Sequence, residues 1–290
     1  MKKPVWLHKK IDLKACYALN VLLKNLKLHT ICQEANCPNI SECFSKKIAT
    51  FLILGNICTR NCRFCAVKKG KPGVVDIEEP ERIAEAVSRL NLKHVVITSV
   101  TRDDLSDGGA EHFAKTIYSI RKKMKKIVIE VLIPDFKGEK EAIKKVIEAK
   151  PDIIGHNIET VPRLYPIVRK GANFLRSLEV LKTVKALSNG IYTKSGLMLG
   201  LGEREEEILK VFKDLRKVNC DFLSIGQYLS PSRKAYPVKE YVHPDRFDYY
   251  KERALALGFL YVASGPYVRS SYLAEEYLEH VEDNKNEKRF

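Results

Sequence analysis

A chain of 290 residues, 45% hydrophobic and 30% charged, can bury a substantial core in one large domain or two ordinary ones, which excludes wholesale disorder. No unbroken apolar run reaches the ~18 residues of a membrane span, so no membrane role is expected. Net charge is +15, from 51 basic and 36 acidic residues, a balance that suits either acidic partners or a solvated Lys/Glu-rich surface.

At the N-terminus Lys2, Lys3, Lys9 and Lys10 look like the start of a signal peptide. Asp12, Lys14 and Lys24 interrupt the apolar stretch that follows, and no small-residue cleavage site appears, so a cytoplasmic protein is expected. Residues 1–48 read as an N-terminal extension. From residue 49 onward, short apolar runs alternate with amphipathic ones. The runs at 49–56, 94–100, 127–134, 153–159, 192–200 and 222–229 are rich in Val, Ile, Leu or Phe and lack clean alternation, as strands buried on both faces do. Helical patterns lie between and after them, at about 80–91, 109–124, 138–149, 174–189, 203–219 and 244–257. In 203–219, for example, Ile208, Val211, Phe212, Leu215 and Val218 recur at three- and four-residue steps. The densest basic run, residues 121–126, falls where a solvated helix end is expected; without aromatic interleaving it predicts no nucleic-acid contact.

Six βα units predict a parallel sheet with right-handed crossovers. They are too few to close a regular eight-stranded barrel. The expected fold is therefore α/β, a partial (β/α)6 TIM-type barrel over residues 49–258. A doubly wound open sheet is the alternative, because periodicity does not give strand order. Residues 259–290 read as a C-terminal extension whose last ten residues, 281–290, are polar and expected to fray.

Of eight cysteines, six fall between Cys32 and Cys65, while Cys16 and Cys220 stand alone and read as small buried hydrophobes. Clustered cysteines in a cytoplasmic chain predict a metal or redox site. Cys32, Cys37 and Cys43 form one triplet, with four and then five residues between them; Cys58, Cys62 and Cys65 form another, with three and then two. Structural zinc takes four ligands, and so does a cubane iron–sulfur cluster. Three thiols leave one iron open to bind something else, although zinc with a distant fourth ligand stays an alternative. The second triplet begins two residues after the first expected strand, in the first βα loop, where α/β folds assemble their active sites.

That spacing, followed by βα repeats, resembles the radical S-adenosylmethionine superfamily, and Phe64 matches an aromatic that the superfamily carries before its last cysteine. The resemblance implies a [4Fe–4S] cluster whose open iron is chelated by the cofactor's amino and carboxylate groups. Reductive cleavage then yields a 5′-deoxyadenosyl radical able to take hydrogen from an unactivated alkyl carbon. The upstream triplet narrows the resemblance to the lipoyl synthase family, over about residues 28–275. Similar segments lie at 97–109, 155–160, 194–203 and 269–272, the last being Arg269, Ser270, Ser271 and Tyr272. This resemblance implies an auxiliary [4Fe–4S] cluster on Cys32, Cys37, Cys43 and Ser271. A hard serine oxygen on a soft cluster is its weakest link, suited to letting an iron leave. It also implies that the auxiliary cluster is the sulfur donor, used at C6 and C8 of a protein-bound octanoyl-lysine to give the lipoyl cofactor.

Family similarity places Thr98, Ser99, Arg102 and Asp103 near the methionine end of S-adenosylmethionine, and Asn157 and Glu159 on ribose hydroxyls. Lys194 and Met198 sit on the fifth strand, where a cation could meet a carboxylate. Implied partners are an octanoylated lipoyl carrier domain or glycine-cleavage carrier protein, a ferredoxin or flavodoxin, and an iron–sulfur carrier protein. One departure is Ala235, Tyr236, Pro237 and Val238, where many members have His-Leu-Pro-Val. His156 and His243 read as structural. Two other readings stay open: a methylthiotransferase acting on RNA, and a non-catalytic cluster scaffold or electron carrier.

Overall fold

The computed structural model describes every residue except 1, 10, 11, 13, 15 and 288–290, with side chains to residue 281. Its strands are β1 (His29–Thr30), β2 (Thr50–Ile53), β3 (Ile57–Cys58), β4 (Lys68–Lys69), β5 (His94–Ser99), β6 (Val128–Leu132), β7 (Ile153–Gly155), β8 (Tyr192–Leu199), β9 (Phe222–Gln227) and β10 (Tyr261–Gly265). The main sheet runs β1-β2-β5-β6-β7-β8-β9-β10, parallel throughout except for β1, which pairs antiparallel with β2. A doubly wound sheet reverses its strand order at a switch point. Here the order is sequential, so the fold is a partial TIM-type barrel. A seventh parallel strand, β10, carries the sheet past the boundary expected at residue 258.

Crossover helices at Glu79–Leu90, Ala110–Lys123, Lys140–Glu148, Phe174–Leu187 and Glu205–Lys217 fall where the 3.6-residue patterns lie, and Pro244–Ala256 leads into β10. The two faces of each strand do different work. Phe51, Ile53, Val95, Ile97, Ile129 and Val131 pack under the helices of the first half. Leu197, Leu199, Leu223 and Ile225 pack under those of the second. The alternate residues face away from the helices. Toward one end of that face Ile153, Phe222 and Ala263 pack with Tyr277 and Val281 of the closing helix Glu276–Glu287. That helix runs through most of the stretch expected to fray; residues 288–290 lie outside the described residues. Cys16 and Cys220 are buried, Cys220 completely.

Candidate active site

The second cysteine triplet sits on a loop fixed at both ends. Leu54, at the end of β2, adopts a left-handed conformation (φ 67°), and the buried Glu79 carboxylate accepts its N–H at 2.8 Å. Past that turn, β3 and β4 pair in parallel and close the loop between Cys58 and Lys69. Backbone bonds hold the loop against later βα loops. Thr59 donates to the Thr101 carbonyl at 3.0 Å and Arg63 to that of Val168 at 2.8 Å. Tyr236 in turn donates to the Arg63 carbonyl at 2.8 Å, and its ring lies 5.4 Å from the Arg63 guanidinium. The sequence departure at 235–238 thus braces the cysteine loop through Tyr236. Arg60 completes the bracing. It bonds both carboxylate oxygens of Asp103 (2.7 and 2.9 Å) and one of Asp135 (2.6 Å), whose other oxygen takes Arg176.

The three thiols open into one cavity at the C-terminal ends of β2, β5 and β6, walled also by Phe64, Thr98, Ser99, Asn157, Glu159 and Arg169. Burial pushes the Cys65 thiol up to about 12, and the neighbouring Cys62 and Cys58 add to the shift; Cys62 is raised by burial as well. Arg60 N–H points at the Cys58 sulfur, 3.4 Å away. Three crowded thiols ionise only if a cation compensates them, and a cluster of irons supplies it. A cubane spreads three such thiolates over separate irons, whereas structural zinc takes four donors on one ion. The donor set fits a cluster better than zinc.

The first triplet is built by two short helices. Thr30 caps Ile31–Glu34, which carries Cys32, and Ile40–Ser45 carries Cys43. Cys37, between them, donates its N–H to the Cys32 carbonyl at 3.0 Å. Burial raises Cys32 to about 11 and Cys43 to about 12, each shifted further by the neighbouring thiols. The C-terminal segment comes back to this triplet. Ser271 Oγ lies 2.7 Å from Thr50 Oγ1, and Thr50 also bonds the Cys32 thiol. Tyr272 donates to Glu42 at 3.1 Å, Asn39 donates to the Tyr267 carbonyl at 2.7 Å, and Lys9 binds Asn39 and Glu42. Gly226 on β9 allows the approach: a Cβ there would collide with the Val268 carbonyl.

Arg102, Asp103, Lys194 and Met198 lie outside the cavity wall. Arg102 is spent on Asp104 and the carbonyls of Leu54 and Gly73, and Asp103 on Arg60. Lys194 is wholly buried, 3.0 Å from Glu130 and 3.6 Å from the centre of the Tyr277 ring. Met198 packs with the second-half core and donates its N–H to the Glu159 carbonyl at 2.9 Å. A residue that sequence reasoning missed is Arg169. Its half-buried guanidinium lies beside Cys62 and Glu159, bonds only neutral acceptors (Tyr165 and Ser177 at 3.0 and 3.2 Å, and the Ile158 carbonyl), and makes no carboxylate ion pair among the described residues. The single available signal was its place in the loop after β7.

His156 is structural, bonded to the Ile133 carbonyl at 2.9 Å and Ser177 at 3.0 Å, and His243 caps Pro244–Ala256. Burial, then the Arg169 charge, push His156 down to about 4. The unfolded chain binds this proton below about pH 6.5 and the folded one does not, so stability falls from pH ~6.5 to ~4 by up to about 3 kcal/mol. Urea unfolding at the two pH values should show that His156→Gln removes this part of the acid sensitivity.

Residues 52–215 match the family model of the Radical SAM superfamily. Over 278 residues the chain is 62% identical to the lipoyl synthase of Caldicellulosiruptor saccharolyticus, covering 95% of this chain and 97% of that one. The chain belongs to the lipoyl synthase family. A second lipoyl synthase, from Caldanaerobacter subterraneus subsp. tengcongensis, is 59% identical over 275 residues, covering 95% and 96% of the two chains. HydG, a maturase of the [FeFe]-hydrogenase, is 16% identical with a TM-score of 0.55 over 86% of this chain and 55% of that one, a likeness of fold. Lipoyl synthases are radical SAM sulfurtransferases, and their cofactors are two [4Fe–4S] clusters and S-adenosylmethionine. No helix among the described residues is long and apolar enough to cross a membrane.

Proposed function

We propose that this chain inserts two sulfur atoms at C6 and C8 of an octanoyl-lysine on a lipoyl carrier protein. Cys58, Cys62 and Cys65 hold the radical cluster; Cys32, Cys37, Cys43 and Ser271 hold the auxiliary one. The observation that supports this most is the approach of the first triplet's segment to the cavity of the second. Ile31, next to Cys32, forms part of the wall that carries Cys58, Cys62 and Cys65, while Ser271 reaches Thr50 beside Cys32. When bound, the clusters and S-adenosylmethionine supply hydrogen abstraction and sulfur. The chain supplies position and dryness. Leu52, Val67 and Leu132 give the cavity an apolar wall that excludes water. Thr98, Ser99, Asn157 and Glu159 offer hydroxyl, amide and carboxylate partners to the cofactor, beside Phe64. Arg102 and Asp103 serve it indirectly, by bracing the cysteine loop, and Lys194 and Met198 by fixing the barrel beneath.

Arg169 is a half-buried cation of the cavity wall with no ion pair among the described residues, and a charge withdrawn from water gains from a matching one. The cofactor's carboxylate matches it. Arg169→Gln is expected to weaken S-adenosylmethionine binding about 10- to 100-fold, the worth of a charge-assisted pair. Equilibrium dialysis should show little change for the decarboxylated analogue.

The excess of basic residues suits an acidic octanoylated carrier domain or glycine-cleavage carrier protein. A cytoplasmic ferredoxin or flavodoxin would deliver electrons, and an iron–sulfur carrier would rebuild the spent cluster. Anaerobic incubation with an octanoyl-lysine peptide, a strong reductant and S-adenosylmethionine tests the proposal. Mass spectrometry should find thiolated peptide together with 5′-deoxyadenosine. A scaffold protein would yield neither.

A further inference from the structure

We infer that Ser270 is a positioning residue that couples the cofactor cavity to the auxiliary ligand, an inference that rests on the reading of Ser271 as that ligand. The two serines are consecutive, yet their hydroxyls are held by different parts of the molecule. Ser270 Oγ accepts the amide N–H of Asn157 at 2.6 Å, and Ser271 Oγ lies 2.7 Å from Thr50 Oγ1. Asn157 belongs to the cavity wall, and Thr50 contacts the Cys32 thiol. One peptide unit, planar and about 3.8 Å from Cα to Cα, therefore spans from the cofactor cavity to the first cysteine triplet.

Little in this span can give. Upstream, the Val268 carbonyl presses on Gly226 and takes Arg269 Nη1 at 2.7 Å; downstream, Tyr272 is tied to Glu42. Asn157 is seated over Gly196, where a Cβ would come within 2.8 Å of its Oδ1. Its Nδ2 donates to Glu159 at 3.0 Å as well as to Ser270, so both amide protons are committed. Glu159 is half-buried in the same wall, with no other hydrogen-bond donor from a side chain of the described residues. A ligand that takes up Glu159 or Asn157 must share these bonds, and in a hydrogen-bonded chain the change passes to Ser270 and its neighbour. Cofactor occupancy and the hold of Ser271 on the auxiliary cluster then bias one another, by the same factor in each direction.

The test uses the protein loaded with both clusters and kept unreduced, so that S-adenosylmethionine binds without being cleaved. Its affinity is measured for wild type, S271A, S270A and S270A/S271A, and Mössbauer spectra of the auxiliary cluster are recorded with and without it. S271A should shift the affinity about fivefold or more when Ser270 is present and by less than about twofold in the S270A protein. The cofactor should perturb the auxiliary spectrum in wild type and in Ser270→Thr, which keeps the hydroxyl, but not in S270A. Equal effects of S271A in both backgrounds overturn the coupling. If S271A leaves the auxiliary spectrum unchanged, the reading of Ser271 as a ligand has failed and the inference falls with it. If that spectrum changes while all four affinities agree, the coupling alone has failed.

Discussion

Cys62→Ala is expected to abolish cleavage of S-adenosylmethionine, lowering 5′-deoxyadenosine formation by about a thousandfold or more, which corresponds to some 4 kcal/mol. The size follows from the construction of the loop. Its three thiols sit within eight consecutive residues, closed by the β3–β4 pair and pinned to Thr101, Val168 and Tyr236. No other cysteine lines this cavity among the described residues, so nothing local can replace a lost ligand. A conformational explanation is separable, because the loop's anchors are backbone bonds and the Arg60 ion pairs, none of which uses the Cys62 side chain. Chromatographic quantification of 5′-deoxyadenosine under a strong reductant reads the effect directly.

Cys37→Ala should give the opposite split. Cleavage should persist within about tenfold of wild type, about 1.4 kcal/mol at most, while thiolated octanoyl peptide should disappear. The first triplet is carried by its own pair of short helices and its own ties to the C-terminal segment, and only Ile31 of that region enters the cavity wall. Ser271→Ala should resemble Cys37→Ala in kind. Both activities falling together in Cys37→Ala would count against separate roles for the triplets. Product masses and 5′-deoxyadenosine measured in the same reaction separate the cases.

The two triplets were legible in the sequence because their chemistry demands one residue type at short spacings, and because the loop after the first strand is where α/β folds place their sites. The six strands were legible because burial on both faces leaves continuous apolar runs. What those runs conceal is which alternate residues face the helices, and how deep each inward one lies. Lys194 illustrates this: its strand was evident, but not that Glu130 and Tyr277 bury its charge away from the cavity. β10 was taken into the C-terminal extension because its five residues, with two aromatic or aliphatic members and a small-residue end, form a weak run. Contacts between distant segments left no local trace at all. The Asn157–Ser270 bond spans 113 positions and the Thr50–Ser271 bond 221. Resemblance alone pointed to Ser271, and nothing in the pattern near Ser270 linked it to the cavity. Arg169 went unnoticed because one arginine at the end of a short helix carries no signal until the structure places it beside Cys62 and Glu159 without a direct ion pair among the described residues.

One chain is expected to carry two separate iron–sulfur sites. Iron and sulfide per polypeptide, measured after anaerobic loading, test it most directly. Wild type should hold about eight irons, and replacing either triplet by alanines should leave about four. A fully loaded wild-type chain with only about four irons, or loss of all iron when either triplet is removed, would mean that the triplets do not hold two independent clusters.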